Sequence, residues 1–67
     1  MTLTESQCVT YYGMAGTTQH LRDESGYTIP TSVVDGPSLF SWVNGLIQSQ
    51  QIVIQGLIYE YLRSQGG

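Results

Sequence analysis

The side chains able to do chemistry are few and scattered. Cys8 is the single cysteine and His20 the single histidine. One thiol cannot form an internal disulfide, and one Cys with one His falls short of the donor set that a zinc site takes. As a general base, His20 would need a nucleophile and an orienting group close by. Its neighbours Leu21-Arg22-Asp23-Glu24 supply neither. That run suits a solvated charge cluster or an intersubunit ion pair, with His20 a surface residue. Cys8 falls in the first turns of an expected helix, where the dipole favours a thiolate, but it has no basic neighbour. A small buried hydrophobe is the better reading of it. Gly13-Met-Ala-Gly16 lacks both the Lys-Ser/Thr and the strand–helix setting of a phosphate loop. The expectation is a protein that is not an enzyme, with no catalytic residue, metal, cofactor or small-molecule substrate.

Charge is equally sparse. Glu5, Asp23, Glu24, Asp35 and Glu60 stand against Arg22 and Arg63, with no lysine and a net charge of −3. Such a chain cannot neutralise a phosphate backbone, and it lacks the basic face of a helix lying on an anionic membrane. A helix-turn-helix between Gln19 and Val34 would have Pro30 inside its second helix. The start, Met1-Thr-Leu-Thr-Glu-Ser-Gln, has neither the basic nor the apolar region of a signal peptide. Gln48, Gln50, Gln51 and Gln55 interrupt the apolar C-terminal stretch and argue against a transmembrane span. The expected location is a virion or the cytoplasm. With so little charge, the polar surface must be made of Gln, Ser, Thr, Gly and Tyr. Tyrosines are enriched at protein interfaces, which makes Tyr11, Tyr12, Tyr27 and Tyr59 contact candidates.

A chain of 67 residues is a single domain near the size at which one core struggles to offset chain entropy. Without disulfides or metal, partner subunits remain as the usual staple. The fold expected is mainly α, with a short N-terminal helix, an irregular or extended middle and a long C-terminal amphipathic helix used for oligomerisation. Thr4-Glu-Ser-Gln7 fits a capping box that starts a helix over 4–14, with Leu3 and Cys8 as its hydrophobic staple. Residues 17–37 form the connection. Thr18 to Glu24 suits one or two helical turns, and Tyr27 to Val34 an extended stretch biased by Pro30. Asp35 or Ser38 can then cap a helix over 38–64.

At 100° per residue, Leu39, Phe40, Trp42, Val43, Leu46, Ile47, Val53, Ile54, Leu57, Ile58 and Tyr61 share one side of that last helix. As one rod it would be about 40 Å long. The rival reading breaks the segment at Asn44-Gly45 or Gly56 and makes Gln51–Gln55 and Leu57–Leu62 strands, but these alternate poorly. Within the stripe, Phe40, Val43, Ile47, Gln50, Ile54, Leu57 and Tyr61 follow a heptad seam with a glutamine at its centre. Against a copy of itself, Gln50 would find its amide partner by symmetry and so set register and subunit number. Alternatively its amide reaches solvent at the stripe's edge. Ile52, Tyr59 and Leu62 line the far side of the same helix, so its C-terminal half is apolar on two faces, a pattern that marks an interface.

The expected function is therefore structural: a repeated subunit that contacts itself and other structural proteins. A virion component (capsid, tail or neck) is the setting its composition suits. The alternative is a small regulatory or inhibitory protein that docks an amphipathic helix onto a partner enzyme.

Overall fold

The computed structural model describes residues 3–66. Among them the chain is mainly helical, with four helices and no strand. Helix α1, Glu5–Ala15, begins with Thr4 as N-cap. The Thr4 hydroxyl accepts from the Gln7 N–H at 3.2 Å, and the Gln7 side-chain oxygen accepts from the Thr4 N–H at 2.9 Å. Two orphan donors are thereby satisfied reciprocally. Gly16 ends the helix in the left-handed region at φ 73°, a conformation glycine reaches without steric cost. Leu3 and Cys8, flanking the first turn, are both buried.

The connecting segment carries the one or two helical turns expected there. Helix α2, Gln19–Ser25, occupies its first half and stops at Gly26. From 27 to 34 the backbone is neither helix nor strand, and it is pinned by two buried side chains, Ile29 and Val33. Helix α3, Gly36–Asn44, starts two residues before the expected boundary at Ser38. Asp35 is its N-cap and accepts from the Ser38 N–H at 2.9 Å, while Pro37 sits in the first turn, where its missing N–H costs nothing.

The expected single helix over 38–64 is corrected: α3 ends at Asn44, and α4 runs separately from Gln48–Gly66. Asn44-Gly45 is a poor helix former, and the last turn tightens there. The Gly45 and Leu46 N–H groups bond three residues back, to Trp42 and Val43 at 3.1 Å each. The helical pattern resumes with the Gln51 N–H on the Ile47 carbonyl at 2.8 Å. The reason for the break is burial. A rod about 40 Å long would carry Ile54 and Ile58 away from α1, whereas folding back leaves both with no exposed surface. The stripe keeps its phase through the break, so periodicity alone could not reveal it.

The core joins all four helices: Cys8 and Tyr11 from α1, Leu21 from α2, Leu39 and Val43 from α3, Ile54 and Ile58 from α4. Helix α1 lies so close to the start of α3 that Gly36 is buried directly against the Val9 backbone. The radius of gyration is 10.6 Å, against about 11 Å expected for a compact chain of this length. The chain thus closes a core of its own without a second subunit.

Candidate functional site

Two features stand out: an aromatic cluster under a groove, and apolar side chains left on the outside. The cluster joins α1, α2 and α4. The Tyr11 hydroxyl lies 3.0 Å from His20 Nδ1, and the Tyr61 ring packs edge-on against Tyr11 at 5.0 Å and tilted against His20 at 5.1 Å. Tyr11 is fully buried. Burial, with Tyr61 beside it, pushes its phenol up to about 12. The hydroxyl therefore keeps its proton at neutral pH and is hydrogen-bonded to His20 Nδ1, the direction of the bond following the imidazole tautomer.

Above the cluster, His20, Glu60, Tyr61, Arg63 and Ser64 line an open groove of about 380 Å³. Its chemistry is limited. His20 Nδ1 is engaged by the Tyr11 hydroxyl. The Ser64 hydroxyl is committed to the Tyr61 carbonyl at 3.0 Å. His20 is half-buried and hydrogen-bonded, not the surface residue expected. Nothing in the local sequence could signal this, because its partners lie about nine and forty residues away. Cys8 is buried and has its thiol pushed up to about 11, first by burial and then by the Glu5 carboxylate. It is therefore not a nucleophile at neutral pH. Among the described residues no group of His, Cys, Asp or Glu is placed to hold a metal ion, and no helix is long and apolar enough to cross a membrane.

The expected interface residues do not form one surface. Val43 and Ile54 are fully buried in the chain's own core, and Phe40, Leu57, Tyr59, Tyr61 and Leu62 pack partly against it. Ile47 lies in the break between α3 and α4, so the heptad seam has no continuous helix to run along. Gln50 is partly buried and its amide reaches solvent, the edge position that was the alternative to a buried layer. Of the ten, only Ile47 and Ile52 are fully exposed, at 66% and 59%.

Val53, expected on the buried side, is exposed beside Ile52. With Gly56, Glu60 and Arg63 these two form the outer face of α4. A second set of exposed apolar residues, Val9 and Met14 on α1 and Val34 just before α3, was not anticipated. The exposed apolar residues thus fall in two sets, one around the start of α4 and one on α1 and just before α3. The Tyr59 hydroxyl is buried without a hydrogen-bond partner among the described residues. No protein-family model, curated protein or solved structure matches this chain.

Proposed function

We propose that this chain is a non-enzymatic assembly protein, a repeated subunit that adds to copies of itself through apolar outer faces. The observation that carries this reading is the apolar surface left over on a fold that already closes its own core. Ile47, Ile52 and Val53 stand exposed at the start of α4, and Val9, Met14 and Val34 on the α1 side. Exposed apolar surface costs roughly 25 cal/mol per Å² relative to burial, and its grouping in a charge-poor chain marks contact surfaces. Two separate exposed apolar sets matter for the kind of assembly. A single self-complementary face stops at a dimer, whereas a second face lets addition continue. Shells, tails and fibres of many copies, virion components among them, are built in this way.

Docking of an amphipathic helix onto an enzyme has less support. The amphipathic side of α4, with Ile54 and Ile58, is already occupied by α1, α2 and α3. The groove beside His20 supports no enzymatic reading, because its histidine and serine are both engaged.

The test is mass against concentration, by native mass spectrometry and light scattering, for the wild type, Ile52→Glu and Val34→Glu. Concentration-dependent growth beyond a dimer is expected. Each substitution should lower the size reached while leaving the helical circular-dichroism spectrum intact. A wild type that stays monomeric up to millimolar concentration would overturn the proposal.

A further inference from the structure

Gly56 lies at the middle of α4, where glycine is destabilising relative to alanine. Nothing among the described residues requires it. Its φ is not in the left-handed region, and a Cβ built there would meet no atom within 4 Å. By contrast, Gly36 is fixed by the backbone of α1. Gly56 also shares its outward arc with the exposed Ile52 and Val53. The position in the middle of α4 that lacks a side chain thus sits in the chain's exposed apolar face, open to solvent.

We infer that a second copy of this chain covers this face, its α4 crossing antiparallel at Gly56 on a two-fold axis. This rests on the assembly reading and specifies one of its contacts. Charge placement selects the occupant and its direction. The only charges on the face, Glu60 and Arg63, both lie on the C-terminal side of Gly56. Parallel pairing would stack Glu60 on Glu60 and Arg63 on Arg63. Antiparallel pairing about Gly56 separates these like charges and brings Glu60 level with Ile52 of the other copy, toward the positive end of that helix's dipole. It also opposes the two macrodipoles. A polyanion or anionic membrane finds no basic cluster here, since the chain has no lysine.

Area sets the strength expected. A standard interface takes about 800 Å² from each partner, a fifth of the 4012 Å² surface of this chain. One helix face about 28 Å long offers less than that, so the contact is of the weak, concentration-dependent kind.

The test uses the full chain and three variants: Gly56→Ala, Gly56→Cys and Ser49→Cys. Association is read by sedimentation equilibrium and folding by thermal melts of dilute protein. Gly56→Ala should raise the melting temperature of the monomer yet weaken self-association at least tenfold, since two added methyl groups meet on the axis. With oxidised glutathione as oxidant, two Gly56→Cys thiols should lose two electrons and two protons to form one disulfide-linked dimer. Ser49→Cys, off the axis, should not form one. Cys8 is buried and stays out of this reaction. If Gly56→Ala associates as well as the wild type while Ile52→Glu does not, the face is used without the crossing and this inference fails alone. Association that depends only on Val34 also overturns it and leaves the assembly reading standing. A wild type that is monomeric at every concentration overturns both.

Discussion

Gly36→Ala should be among the most damaging small substitutions in this chain. A Cβ at residue 36 would lie 2.4 Å from the Val9 Cα and 2.7 Å from its backbone nitrogen and Cγ2. Ordinary contact begins near 3.4 Å, so α1 and α3 would have to separate by about 1 Å. Two of the three obstructing atoms are backbone, which no rotamer change can move aside. Overpacking of a rigid contact costs typically about 1–3 kcal/mol, and the upper end applies here. At roughly 0.05–0.15 kcal/mol per residue, a chain of this size has about 3–10 kcal/mol in total. The variant should therefore lose roughly a fifth of its stability or more. A loss of about 2–3 kcal/mol should lower the melting temperature by roughly 10–20 °C. Urea and thermal melts followed by circular dichroism measure this. Gly13→Ala is the control: it lies in α1 with nothing within 4 Å of the added methyl, and it should stabilise by up to about 1 kcal/mol. If Gly36→Ala melts within 0.5 kcal/mol of the wild type while Gly13→Ala behaves as expected, the close approach of α1 to α3 is wrong.

Other outcomes follow from single contacts. Tyr59→Phe keeps the ring and removes a buried hydroxyl that has no partner among the described residues, so stability should hold or rise by about 1 kcal/mol. A clear loss in urea melts would reveal a bonded hydroxyl. His20→Ala should cost about 1–3 kcal/mol, more than Tyr11→Phe, because it strands the buried phenol. A double-mutant cycle giving no coupling would refute the bond. Alkaline titration probes Tyr11 and Cys8, raised to about 12 and about 11. For both, the folded state holds the proton more tightly than the unfolded one. Stability should be full below pH 9 and fall as pH rises toward 12. Melting temperatures that stay flat from pH 9 to 11.5 would contradict that burial.

How much of this was legible depended on how local the signal is. The Thr4–Gln7 capping box and the glycine stop at Gly16 are short-range patterns, and the structure contains both. The mainly helical character was likewise legible, because the apolar spacing after residue 38 holds a helical period. The break at Gly45 was legible only as one of two candidate positions and was not preferred, since the stripe continues in phase across it and the gain that favours bending comes from α1. The same blindness hid the Tyr11–His20–Tyr61 cluster, whose members come from three helices. It also misassigned the seam. A heptad pattern records which residues avoid water, and Val43 and Ile54 avoid it inside their own chain. Gln50 shows the limit most plainly, because one amide in an apolar register suits a shared layer or a solvent edge equally well.

The close seating of Gly36 on Val9 also bears on how fast the chain can fold. Helices such as α1 and α4 can form and melt on their own within about a microsecond. Bringing residue 9 to residue 36 instead requires closing a loop of about 27 residues, at an entropic cost of roughly 3 kcal/mol by the logarithmic rule. Little of that cost is recovered until the two backbones are nearly in contact, because a glycine contact has no side chain to reach across the gap. The meeting of α1 and α3 therefore waits on that closure, and the segment from α2 to Asp35 sets its rate. Lengthening the loop near Thr31, where the backbone is exposed, should slow folding while leaving unfolding almost untouched.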